Sequence, residues 1–217
     1  MPAVLFGSIG TLAETSEIQR ESFNQAFREH GLDWRWERAD YIAMLPESGG
    51  RNRIAAFARS VDQDVDADAV HRTKSELFRK NLSGITPRPG VLDTITAAKR
   101  DGVRLGLVTT TSHDNVVSLL DALGPDVTLA DFDVVVDASQ VTAPKPDAAA
   151  YAYALDALGE RADGCVAIED NAAGVTAAAA AGVRCVAFPG ANTADHRFEQ
   201  ADQIVERLDP AALLPRR

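Results

Sequence analysis

The strongest constraint on this chain is the way short apolar runs alternate with helical periodicity. Ala3-Val4-Leu5-Phe6-Gly7 opens the sequence, and residues 103–109, 132–136, 165–169 and 184–188 repeat its character. Runs of this length, bounded by glycine or polar residues, read as strands buried on both faces. Between them, Val91-Leu92-Ile95-Ala98 and Tyr151-Ala154-Leu155-Leu158 set apolar groups on one helical face. Strand–helix–strand order predicts right-handed crossovers and a parallel sheet covered on both sides.

Residues 15 to about 84 break this rhythm. They hold no strand-like run and read instead as amphipathic helices. Ser16 with Gln19 predicts a capping box, followed by Ile18, Phe23, Ala26 and Phe27 on one face. Further helices are expected over 39–45, 51–61 and 66–82, before Pro87, Pro89 and Gly90 punctuate the return to alternation. The expected fold is α/β: a Rossmann-like parallel sheet core, residues 1–14 and 85–217, with an inserted all-helical cap, residues 15–84.

A chain of 217 residues with 46% hydrophobic side chains can bury such a core. Its 22 Lys+Arg against 32 Asp+Glu leave a formal charge of −10, which argues against a nucleic-acid partner and against anionic membranes. No apolar run reaches the roughly 18 residues of a membrane span. The first ten residues lack the basic start of a secretory signal. Cys165 and Cys185 lie inside strand-like runs and read as small buried hydrophobes. A soluble protein of a reducing, cytoplasmic compartment is expected.

Ligands of open parallel sheets bind beyond the carboxyl ends of the strands. There the chain places Gly7-Ser8-Ile9-Gly10-Thr11-Leu12, Thr109-Thr110-Thr111-Ser112, Lys145 between two prolines, and Glu169-Asp170 with Gly174. Taken singly, threonines at a strand end are turn residues and a Lys-Pro is a solvated loop. Adjacent carboxylates closing an apolar strand are less innocent, because each raises the other's pKa and calls for a cation. Together, hydroxyls, one lysine and two carboxylates at one sheet edge suit a phosphate with Mg²⁺: hydroxyls and turn N–H groups bind phosphoryl oxygens, and hard oxygen ligands suit the ion.

The order and spacing of these segments resemble the haloacid dehalogenase superfamily over essentially the whole chain. The helical insertion points to the branch of beta-phosphoglucomutase and the CbbY-like sugar-phosphate phosphatases. The resemblance is carried by Gly10 to Thr15, Arg20 with Phe23-Asn24, Gly31 to Trp36, Gly49-Gly50 with Arg53, His71-Arg72 with Lys74, Arg88-Pro89-Gly90, Thr109 to Ser112, Lys145-Pro146, and Glu169-Asp170 with Gly174. It implies phosphate binding by Thr109, Thr110 and Lys145, substrate contacts from the cap by Arg53 and Lys74, and a metal held by Asp170, Glu169 and the Ile9 backbone carbonyl. For Arg72 and Lys74 a solvated helix surface explains the charge equally well; Arg53, after two glycines, is the better candidate.

One departure decides the functional expectation. The family's first strand ends in Asp-x-Asp-Gly-Thr, in which the first Asp attacks phosphorus and the second protonates the leaving oxygen. Here Gly7 and Ile9 hold those positions, so neither nucleophile nor acid is present. General acid–base catalysis alone is worth about 10²–10⁴ in rate. Smaller departures agree: Gln19 stands where the branch commonly has His, and Lys145-Pro146-Asp147-Ala148 lacks the usual second proline. Ser8, expected by strand alternation to face away from the site, lacks a neighbouring histidine in sequence; Glu14 and Asp114 are near enough to reach the cleft. The leading expectation is a HAD-fold protein that binds a phosphorylated small molecule or inorganic anion without family-type hydrolysis, its Mg²⁺ possible but weakly held. The alternatives are an active Mg²⁺-dependent sugar-phosphate phosphatase with rearranged groups, and a structural or dimerisation role with an empty cleft.

Overall fold

A computed structural model describes residues 2–45 and 49–214. Six strands form one parallel sheet: β1 (Ala3–Phe6), β2 (Arg104–Val108), β3 (Val134–Val136), β4 (Cys165–Glu169), β5 (Arg184–Ala187) and β6 (Gln203–Ile204), in the order β3-β2-β1-β4-β5-β6. This is the Rossmann-like arrangement expected from the apolar runs. The exception is β6, which is two exposed residues long and carries no apolar run to announce it. The central strand β1 is buried throughout, and its Phe6 pairs with Leu107 of β2 and Ile168 of β4. Register therefore brings the loops after β1, β2 and β4 side by side.

Strand alternation divides the core. Val4 and Phe6 join the residues contributed by α6 (Val91–Asp101), α7 (His113–Leu123) and α10 (Pro210–Leu213), whereas Ala3 and Leu5 face α8 (Ala149–Leu158) and α9 (Ala172–Ala180). Cys165 and Cys185 are buried and unpaired by a disulfide on the second side. Among the described residues no helix is long and apolar enough to cross a membrane.

Between β1 and α6 the described chain is wholly helical: α1 (Ile9–Leu12), α2 (Ser16–Glu29), α3 (Arg38–Ala43), α4 (Gly50–Ser60) and α5 (Ala67–Lys80). The last four gather a separate cluster around Trp36, which contacts Phe23, Phe27, Tyr41 and Phe57 at ring distances of 4.7–6.3 Å. Phe23, Ala26 and Phe27 belong to this cluster, but Ile18 packs on the sheet core instead. The expected capping box at Ser16 is not formed: Thr15 is the cap residue, without a side-chain bond, and the Ser16 N–H goes to the Glu14 carboxylate at 3.1 Å. The capping box occurs one helix earlier, at Ser8 and Thr11 of α1.

Trp36 is fully buried and its Nε1 has no hydrogen-bond partner. An unmet buried donor costs about 1–3 kcal/mol, so Trp36→Phe, which loses volume but removes that donor, is expected to stay within about 1.5 kcal/mol of the parent in urea unfolding. A larger loss would mean that water satisfies the indole in solution.

Candidate functional site

The first loop is shaped by Ser8. Because β1 ends at Phe6, pleating no longer governs Ser8, and its side chain turns into the site rather than away from it. Its Oγ accepts the Gly10 and Thr11 N–H groups at 3.0 and 3.3 Å and donates to Asp170 Oδ1 at 2.8 Å. Thr11 Oγ1 donates in return to the Ser8 carbonyl at 2.6 Å. Arg88 braces the same loop, donating to the carbonyls of Gly10, Phe188 and Pro189 at 3.1, 2.8 and 2.5 Å. The serine hydroxyl is thus saturated by the turn it caps.

Beneath this loop lies a buried ionic knot. Lys145, 5% exposed, donates to the carbonyls of Gly7 and Val108 and to Glu169 Oε1, the last at 2.6 Å. Glu169 Oε1 also accepts the Tyr151 hydroxyl at 2.8 Å, while Oε2 is buried without a partner. Burial raises the Glu169 carboxyl, and the Lys145 ammonium opposes that rise. Burial and the nearby Glu169 charge push the Tyr151 phenol well above its ordinary value. A Cβ on Gly7 would lie 2.1 Å from Glu169 Oε1 and 2.4 Å from the Tyr151 hydroxyl, so these groups fill the space of a side chain at that position. Lys145 and Glu169 are therefore brought together, but all three lysine N–H bonds are directed to protein acceptors across β1, β2 and β4. Tyr151 gave no sequence signal beyond its apolar helical face.

Asp170, expected from the resemblance to hold a metal, is also engaged. Asp170 Oδ1 accepts from Ser8 and from Asn171 Nδ2, the latter at 2.9 Å, and its Oδ2 lies where a Cβ on Gly10 would stand. The Ile9 carbonyl accepts the Ala13 N–H at 3.2 Å as α1 ends. Among the described residues no three or more His, Cys, Asp or Glu side chains gather to hold an ion. Mg²⁺ demands near-octahedral oxygen donors, and as they stand Asp170, Glu169 and the Ile9 carbonyl do not supply that set.

Above the knot, cap and core enclose a cleft of about 820 Å³. Ile9, 7% exposed, lines it from the core side. The core lines it with Thr109, Thr110, Thr111 and Ser112; the cap lines it with Gln19, Arg53, His71 and Lys74. Thr109 is buried, its Oγ1 accepting the Thr111 N–H at 3.2 Å. Arg53 lies 5.5 Å from the Tyr41 ring and donates to the Met44 carbonyl at 3.2 Å. Lys74 donates to Gln19 Oε1 and sits over the rings of Phe23 and Phe78 at 4.8 and 5.1 Å. Burial, with Arg53 nearby, pushes its pKa down to about 7. Burial and Lys74 bring His71 down to about 4. Asp114 and Arg72 reach this cleft, but Glu14 does not, being bonded to the Ala191 N–H at 2.8 Å. The wall is cationic although the chain as a whole is acidic.

Residues 1–182 match the family described as haloacid dehalogenase-like hydrolase. The protein CbbY of Cereibacter sphaeroides is 39% identical over 209 residues, covering 94% of this chain and 91% of that one. Crystal structures of CbbY from Rhodobacter sphaeroides, one in complex with phosphate and one of a variant with xylulose-(1,5)bisphosphate, superpose with a TM-score of 0.88 at 38% identity, over 94% of this chain and 93% of theirs. A putative beta-phosphoglucomutase from Thermotoga maritima shares the fold, with a TM-score of 0.71 at 22% identity over 94% of each chain.

Proposed function

Because the chain belongs to the haloacid dehalogenase-like hydrolase family, we propose that it uses the cap–core cleft to bind a phosphorylated small molecule, of the sugar bisphosphate class, without hydrolysing it by the family's covalent route. The core is taken as residues 1–14 and 85–217 and the cap as 15–84. The observation that carries the reading is the buried knot: Glu169, held by Lys145 and Tyr151, fills the nucleophile's place at Gly7. Ser8 does not substitute, because its hydroxyl caps a helix and bonds Asp170. The cationic wall with its row of hydroxyls supports an anionic ligand, and the complexes of CbbY with phosphate and with xylulose-(1,5)bisphosphate support its class. Hydrolases of this family are generally Mg²⁺-dependent; here the ion is proposed to bind weakly. Two buried, unbridged cysteines support a reducing compartment, which we take to be the cytoplasm.

In this reading Arg53 and Lys74 meet one end of the ligand from the cap, while Thr109 and Thr110 meet it from the core. No described residue of the cleft takes over, in this reading, the role of the missing nucleophile. With millimolar Mg²⁺, the protein is expected not to turn over p-nitrophenyl phosphate or xylulose-1,5-bisphosphate above buffer, while the bisphosphate binds in calorimetry. Hydrogen bonds to charged groups are worth about 1.5–3 kcal/mol, so Arg53→Ala should weaken that binding about 10–100-fold. Sustained turnover that follows the protein through purification and is lost in Asp114→Asn would establish the rearranged phosphatase instead.

A further inference from the structure

Lys74 is a lysine with almost no water and no counter-charge. It is 5% exposed, its single polar partner is the neutral Gln19 amide, and no carboxylate among the described residues sits against it. The charges around it are accounted for element by element. On α2, Glu17 and Arg20 pair with each other at 2.9 Å. From α4, Arg53 faces it and Arg51 is bound to Asp68. On α5 itself, His71 lies one turn away with its pKa pushed down to about 4, and Arg72 and Glu76 also line the cleft. Also on α5, Arg79 reaches over to donate to Asn115 at 3.4 Å, and across the cleft Asp114 stands on the core rim.

An ammonium in this position is disfavoured by lost hydration and by Arg53, and favoured by the ring faces of Phe23 and Phe78. An anion entering the cleft changes the balance, because it brings beside Lys74 a negative charge that no described carboxylate supplies there. Resting on the proposed reading of the cleft, we propose that Lys74 is the residue that makes ligand binding proton-coupled: it takes up a proton as the anion arrives and releases it when the anion leaves. The cleft then selects for charge through a group whose own charge is conditional, unlike the arginines beside it, which stay ionised throughout.

The sign follows from linkage. The complex holds more protons than the open cleft at and above pH 7, so affinity falls as pH rises, by up to about tenfold per unit for one proton. The pushed-down pKa of about 7 sets the lower edge of that window.

The chain has only four lysines, at 74, 80, 99 and 145, so each Cε signal is resolvable in protein labelled with ¹³C-lysine. Inorganic sulfate serves as probe because it does not titrate between pH 6 and about 10. Lys74 is expected to titrate well below the exposed Lys80, and to move upward when sulfate is added. Sulfate should bind more weakly at pH 9 than at pH 7 in the parent, and with little pH dependence in Lys74→Arg, which keeps the charge but cannot release it. Lys74 titrating together with Lys80, or sulfate binding equally at both pH values in the parent, overturns the inference. Sulfate failing to bind at any pH, with Lys74 still titrating near neutrality, overturns the reading of the cleft itself.

Discussion

Lys145→Met is expected to lower stability by about 3–5 kcal/mol, since removing one partner of a buried ion pair leaves the other uncompensated. For a chain of this size that corresponds to a fall of roughly 6–20 °C in Tm. The loss is large because the ammonium satisfies Glu169 and two strand-end carbonyls at once, tying β1, β2 and β4 beneath the cleft. Lys145→Met combined with Glu169→Leu should recover most of it, because replacing a whole buried pair by apolar groups is often neutral. Thermal melts of the three proteins make the comparison. A Lys145→Met variant as stable as the parent would mean that the lysine is not a strand tie and stands available to a ligand.

Gly7→Asp, which installs the family's own residue, is expected to be the most damaging change at the site itself. The new Cβ meets Glu169 Oε1 and the Tyr151 hydroxyl at less than 2.5 Å, and neither group is idle. Overpacking costs about 1–3 kcal/mol. A third carboxylate beside Glu169 and Asp170 adds a repulsion of about 1–4 kcal/mol at 4 Å for an effective dielectric between 80 and 20. That repulsion is what a divalent cation would cancel. Millimolar Mg²⁺ should therefore raise the Tm of Gly7→Asp by several degrees and leave the parent nearly unchanged. A variant as stable as the parent without Mg²⁺ would show that Glu169 readily vacates the space.

The sheet was legible because buried parallel strands need uninterrupted apolar runs, and five of the six announce themselves in this way. β6 does not, being two exposed residues at an edge. Strand-end chemistry was legible for a related reason: parallel topology places the loops after β1, β2 and β4 together whatever their separation in sequence. Local hydrogen bonding was harder. Ser16 carries the capping pattern, yet Glu14 takes its N–H, while Ser8 caps a four-residue helix that no periodicity reveals. Hardest were choices made across long separations. That Lys145 would turn to the Gly7 carbonyl, 138 residues away, and that Tyr151 would complete the pair with Glu169, depend on the space left by a missing side chain. The sequence shows the vacancy at Gly7, but not which side chains turn in to fill it.

Ser8 has a consequence of another kind. One hydroxyl spans the gap from the turn after the first strand to Asp170 after the fourth, and caps the turn as well. The strut is covalently part of the chain and is present from the moment of folding. This junction leads into the cap, and its bond forms without a soluble component. Folding of this junction is therefore expected to proceed equally well in the presence of chelators.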